Sequence, residues 1–176
     1  MAVVVGAGII GLLVIQTLRT AGCGSIIAVD LEPERLELAR QLGAEIGLNP
    51  DGDDVVSRIK QMTGDRGVDV AFDAVGINTS LKTALGSLRQ GGALTLIGNL
   101  KPQVELPLQS VVTGEITIHG SCASRGDYPA CLDMIARGAI NVDALISATA
   151  PLADGARWFE RLYRKDKGLI KVVLMP

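Results

Sequence analysis

Six residues near the start of the chain, Gly6-Ala7-Gly8-Ile9-Ile10-Gly11, restrict its fold more than any other stretch. They spell G-x-G-x-x-G, a pattern whose meaning depends on what flanks it. Before it, residues 2–5 are a short, mostly β-branched run, the mark of a strand covered on both faces. After it, Ile10, Leu13, Val14, Thr17 and Leu18 recur at helical spacing up to Gly22 and predict the inner stripe of a helix. A strand that enters a helix through three glycines has a physical use. Gly6 permits the tight turn, Gly8 lets a diphosphate approach the backbone, and Gly11 lets the helix lie close on the strand. The free N–H groups of Gly8, Ile9 and Ile10 then face the phosphates at the positive end of the helix dipole.

A glycine triplet alone is a weak signal, and Asp30 strengthens it. Residues 25–29 read as a second buried strand, and Asp30 stands at its end, about 20 residues beyond the motif, where a carboxylate can accept hydrogen bonds from both adenosine ribose hydroxyls. The same carboxylate repels a 2′-phosphate, which predicts NAD rather than NADP, with Arg35 the nearby cation that could blur the choice. The bland reading of Asp30 is a solvated turn residue ahead of Pro33; the glycines outweigh it. S-adenosylmethionine is a competing ligand, since its methyltransferases also pair a glycine turn with an acid after the second strand. Those enzymes usually carry an acid just before the glycines, where Val3, Val4 and Val5 offer none.

The pattern then repeats. Pro33 opens a helix lined by Leu36, Ala39 and Leu42 and ended by Gly43. Residues 44–49 read as a strand, and Asp53 and Asp54 suit the start of a helix bearing Val55, Val56, Ile59 and Met62. Residues 68–74 read as a strand, Asn78 or Thr79 as the cap of a helix with Leu81, Ala84, Leu85 and Leu88, and Gly91-Gly92 as a turn into strand 93–97; residues 116–119 supply a sixth strand. Strands alternating with helices need crossovers on both faces of a parallel sheet. The fold class is therefore α/β, a Rossmann-type doubly wound parallel sheet of about six strands. Residues 1–150 make the dinucleotide-binding domain. Residues 151–176 add a helix over 151–167, crowded with Trp158, Phe159, Leu162 and Tyr163, and a strand over 170–174. This tail either leaves an exposed apolar patch or folds back on its own sheet. The irregular connection 99–113, with Pro102 and Pro107 flanking extended residues 103–106, either invites a second copy along the sheet edge, giving a homodimer, or is a plain surface loop.

Composition excludes other classes. A net charge of −2 spread over 176 residues lacks the basic concentration that nucleic acid demands. The apolar start, residues 1–21, has no basic leader and is broken by glycines and Gln16, so neither a signal peptide nor a membrane span is expected. Cys23, Cys122 and Cys131 form no C-x-x-C pair, which fits a reducing cytoplasm, and with His119 the only histidine no metal site is expected. His119 could be a general base, but an ordinary strand-end hydrogen bond suits it better. Cys122 and Cys131 read as small core residues rather than nucleophiles. Arg125, Asp127 and Tyr128 read as a loop and helix cap, with Arg125 a candidate neighbour of the cofactor.

The segments VVVGAGIIGLL, AVDLEPERLELARQLGA, GVDVAFDAVG, LRQGGALTLIGN and ITIHGSCASR, in this order and spacing, resemble the cofactor domain of the medium-chain zinc-dependent alcohol dehydrogenases. The sorbitol, threonine and galactitol dehydrogenase branch is the nearest, and the resemblance spans essentially the whole chain. It implies diphosphate contacts from Gly8, Ile9 and Ile10, ribose contacts from Asp30 and Arg35, and an adenine-side wall from Ala74, Val75 and Gly76. It further implies that Ile97, Gly98 and Asn99, with Ser121 and Ala123, hold the nicotinamide ring and its carboxamide, and that Lys171 lies against the diphosphate. The family's N-terminal GroES-like domain, which carries the catalytic zinc, the proton relay and most of the substrate pocket, has no counterpart in the sequence. The chain is thus expected to bind NAD without turnover, with no catalytic residue of its own and that domain as its missing partner. The alcohol is not legible. Two other readings remain: a stand-alone NAD-sensing or scaffold module, and the cofactor domain of a zinc-free quinone oxidoreductase, which should prefer NADP and fits Asp30 badly.

Overall fold

The β-branched run forms β1 (Ala2–Val5), all four residues buried, in a computed structural model that describes residues 1–164 and 166–176. It is followed by α1 (Ile9–Thr20), β2 (Ile26–Val29), α2 (Pro33–Gln41), β3 (Ile46–Leu48), α3 (Val55–Met62), β4 (Val68–Asp73) and α4 (Asn78–Ser87). Then come β5 (Leu88–Leu96), α5 (Leu108–Thr113), β6 (Thr117–Gly120), α6 (Tyr128–Ala136), β7 (Ile146–Pro151), α7 (Gly155–Tyr163) and β8 (Lys171–Met175). The first six strands make one sheet in the order β3-β2-β1-β4-β5-β6, every pair parallel. This is the doubly wound α/β fold that the repeating strand–helix pattern predicts.

Period-two alternation explains how one sheet serves two cores. Val3 and Val5 of β1, with Ile27 and Val29 of β2, pack on Val55 and Ile59 of α3 and Leu81, Ala84 and Leu85 of α4. Val4, Ile26 and Ala28 face the other way, onto Leu12 and Ile15 of α1 and Leu36 and Ala39 of α2. Fully burying one such aliphatic side chain is worth roughly 2 kcal/mol. On the α1–α2 side, cover fades toward β6. The row Val4, Phe72, Thr95, His119, set by strand register, runs from buried through half-buried to exposed. At the opposite end of the strands from the glycine turn, Asp69 accepts from the N-terminal ammonium, Arg66 and Arg89. In that order they hold its carboxyl well below the usual carboxylate range.

Several expectations need correction. The buried stripe of α1 is Gly11, Leu12, Ile15 and Gln16, while Ile10 is 45% exposed; a helix this apolar gives spacing little with which to choose a face. Gln16 is buried because its amide is satisfied, accepting from Asn141 N–H at 2.7 Å and donating to Asn141 O at 3.3 Å. Strand β5 begins at Leu88 rather than residue 93, with a register shift against β4 between Val68 and Val70 that accommodates Gly91 and Gly92. Helix α4 is not capped by Asn78, whose Oδ1 instead accepts from Glu105 N–H at 2.9 Å and tethers the irregular connection. Residues 103–106, read as an exposed extended connection, are exposed and belong to no strand. The helix expected over 151–167 spans only Gly155–Tyr163, and residue 165 lies outside the described residues. A strand that spacing missed, β7, pairs in parallel with β8 to form a second sheet, so the expected division at 150/151 falls inside β7. Cys122 and Cys131 are exposed, not core, because the loop after β6 and helix α6 bury no residue. His119 is exposed and makes no side-chain hydrogen bond among the described residues, so the strand-end bond expected of it is absent.

Candidate cofactor-binding site

The three glycines occupy the junction of β1 and α1, each for a different steric reason. Gly6 has φ +95°, and a Cβ there would stand 2.6 Å from Val75 Cγ2. A Cβ on Gly11 would overlap the Gly6 carbonyl. A Cβ on Gly8 would meet no atom within 4 Å, so that side of the turn is open to a ligand. The first bond closing α1 runs from Leu12 N–H to Gly8 O at 2.9 Å. The N–H groups before it therefore have no acceptor in the helix and sit at its positive end. This cradle fits a diphosphate.

Asp30 ends β2 beside that turn. Its Oδ2 accepts from Ala7 N–H at 2.7 Å and its Oδ1 from Glu32 N–H at 3.0 Å. Arg35 Nη1 lies 3.8 Å from Oδ2, and the Asp30 side chain is 9% exposed. The acid and the glycine turn thus share one crevice, at the carboxyl ends of the strands where the order reverses between β1 and β4, the place open α/β sheets bind ligands.

The far wall is built from the tips of β4 and β5. Ala74 N–H donates to Val5 O at 2.9 Å, and Ile97 and Gly98 N–H both donate to Asp73 O at 2.9 Å. Leu100 and Lys101 N–H donate to Val75 and Gly76 O at 3.2 and 3.1 Å. A Cβ on Gly76 would overlap Gly98, so the two loops touch backbone to backbone. Ser121 N–H donates to Leu96 O at 3.0 Å and extends the wall past β6, and Ala123, at φ +50°, lies in the exposed loop beyond. Asn99 caps this wall in an exposed position. In that exposed loop Arg125 N–H donates to Asp127 Oδ2 at 3.1 Å.

The tip of β4 lies beside β1, with Val75 against Gly6 of the glycine turn. Lys171 opens β8 in the second sheet. Sequence reasoning missed Asp73 and Ser80. Asp73 Oδ1 accepts from Val75 and Gly76 N–H at 2.9 and 3.0 Å, and its Oδ2 accepts from Ser80 Oγ at 3.0 Å. The available signal was an acid ending an otherwise buried-type strand. Among the described residues no group of three or more His, Cys, Asp or Glu could hold a metal ion, and no helix is long and apolar enough to cross a membrane. These residues do not fit a zinc site.

Comparison with known proteins agrees with this geometry. The family model described as zinc-binding dehydrogenase matches residues 10–137. Sorbitol dehydrogenase of Bacillus subtilis (strain 168) is 34% identical over 175 residues, covering 98% of this chain and 49% of that protein. A zinc-binding dehydrogenase structure from Sinorhizobium meliloti 1021, described as bound to NADP, superposes with a TM-score of 0.90 at 26% identity, over 100% of this chain and 52% of that one. An alcohol dehydrogenase structure from E. coli CFT073, described as complexed with NADH, gives 0.91 at 25% identity with the same coverage. The chain spans about half the length of the curated relatives it matches.

Proposed function

The chain belongs to the zinc-binding dehydrogenase family, and from that premise we propose that it is the NAD-binding half of an alcohol or polyol dehydrogenase. The observation that carries the reading is the shared crevice: a glycine turn with an open face at Gly8 and free N–H groups, and a carboxylate bonded to that turn at 2.7 Å. The chemistry a nicotinamide dinucleotide supplies there is hydride exchange with an alcohol carbon. The chain's own residues bind and orient. Gly8, Ile9 and Ile10 N–H groups take the diphosphate, and Asp30 takes the adenosine ribose. The loop 74–76 walls the adenine side, and the loop 97–99, with Ser121 and Ala123, receives the nicotinamide half. Lys171, at the start of β8, supplies a cation against the diphosphate in this reading, and no step runs through zinc.

NAD is preferred over NADP because Asp30 occupies the place a 2′-phosphate would take, and its negative charge repels one. Arg35 already leans on Asp30 at 3.8 Å and is not free to offset the repulsion. Titration with NAD and NADP side by side tests this. The parent chain should favour NAD by about tenfold or more, and Asp30→Ala should shrink that preference, since a hydrogen-bonded charge contributes on the order of 2 kcal/mol. Equal affinities in the parent would remove the cofactor assignment.

Two partners follow from the same premise. The thinly covered row Phe72, Thr95, His119 suits a layer supplied by the remaining half of a whole dehydrogenase. The unpaired edge of β6 suits a second copy of the chain. The three free thiols fit a reducing compartment, the cytoplasm.

A further inference from the structure

The peptide that joins Leu31 to Glu32 is held at both of its polar ends. Its N–H, that of Glu32, donates to Asp30 Oδ1 at 3.0 Å, and its carbonyl, that of Leu31, accepts from Asn49 Nδ2 at 2.9 Å. A planar peptide turns as one unit, so a grip on the carbonyl is also a grip on the N–H. Asn49, just past β3, is itself fully engaged. Its Oδ1 accepts from Asp51 N–H at 2.9 Å, its N–H donates to Asp53 Oδ2 at 3.2 Å, and its carbonyl accepts from Gly52 and Asp53 N–H at 3.1 and 2.9 Å. Water would satisfy an exposed Leu31 carbonyl about as well as an amide that reaches across from the neighbouring strand end. What the Asn49 amide adds is direction: it fixes the peptide with its N–H toward the Asp30 carboxylate.

We infer that Asn49 is a positioning residue for cofactor choice: by holding the 31–32 peptide it keeps the Asp30 carboxylate turned into the place a 2′-phosphate would take, without touching the dinucleotide. The inference rests on the reading of Asp30 as the partner of the adenosine ribose. With one oxygen bonded to Ala7 N–H and the other to Glu32 N–H, the carboxylate is fixed in the crevice and repels a phosphate there. Released from Asn49, the peptide can rotate. Asp30 then loses one of its two N–H donors and swings more freely, and the Glu32 N–H becomes available to a phosphate oxygen. Both changes favour NADP, whereas the ribose hydroxyls of NAD still find the carboxylate.

Titrating the full chain with NAD and with NADP, as the parent, Asn49→Ala and Asn49→Ser, tests this. Alanine removes every side-chain bond of Asn49, while serine keeps an acceptor for Asp51 N–H but is too short to reach Leu31. In both variants NAD affinity should stay within about threefold of the parent, and the preference for NAD over NADP should fall by about fivefold or more, the scale of one hydrogen bond to a charged group. A merely structural role would weaken both dinucleotides equally and leave their ratio unmoved; that result overturns the inference. So does a preference lost in Asn49→Ala but kept in Asn49→Ser, which places the effect in the turn 49–51 rather than in the hold on Leu31. If Asn49→Ala does not fold, Asn49→Ser decides by the same ratio. A parent chain that binds the two dinucleotides equally, or neither, sinks the reading of Asp30 itself, and the inference with it.

Discussion

A methyl group on Gly11 has nowhere to go, and one on Gly8 has only solvent or ligand around it. The two glycines therefore separate stability from binding. Gly11→Ala should lower stability by about 3 kcal/mol, because the helix must lift off the strand. Gly8→Ala should change stability by no more than about 0.5 kcal/mol and still weaken NAD binding, since its methyl enters the space the diphosphate needs. Denaturant midpoints and NAD titrations of both variants check the pair; an unmoved midpoint for Gly11→Ala, or intact affinity for Gly8→Ala, contradicts it. Both glycines were legible as residues because steric need in a strand–turn–helix junction is local. Asp73 was not, because an acid at a strand end looks the same whether it meets water or the two N–H groups and the Ser80 hydroxyl that follow it, and only the folded loop tells the two apart.

At the scale of elements, the chain alternates strand and helix where its pattern says it does, with errors at boundaries and faces. Alternating residues show a strand's two faces directly, whereas α1 is apolar nearly all round and its buried side depends on what packs against it. Gln16 marks that side. Its amide clamps both backbone groups of Asn141, 125 residues away, and so ties α1 to the segment leading into β7. Gln16→Leu should cost about 1–3 kcal/mol by stranding the Asn141 N–H, and should speed hydrogen exchange at Asn141 more than in the six-stranded sheet. Uniform exchange across both would show that the clamp is dispensable. Strand β7 escaped notice for a related reason: its partner, β8, lies beyond an intervening helix, and its sequence, ISATAP, has neither strong alternation nor a long apolar run.

At the scale of the whole molecule, the surface is unevenly finished. Phe159 is 71% and Tyr163 89% exposed on α7, α6 buries no residue, and the sheet thins out toward β6. The tail thus leaves the apolar patch that its aromatic residues suggested, rather than folding them inward. Such surface is what an α/β half with an unmet partner would show. Light scattering of the purified chain should report a dimer, and a monomer mass at high concentration would remove the sheet-edge proposal. The sequence by itself determined the doubly wound sheet, the glycine turn and the acid one strand away, because alternation, helical spacing and steric demand are written in neighbouring residues. Tertiary structure alone decided which face of α1 is buried, that β7 and β8 form their own sheet, and that Asp73 holds the 74–76 loop against the glycine turn. Those depend on strand order and on contacts between residues far apart in the chain, which no local pattern encodes.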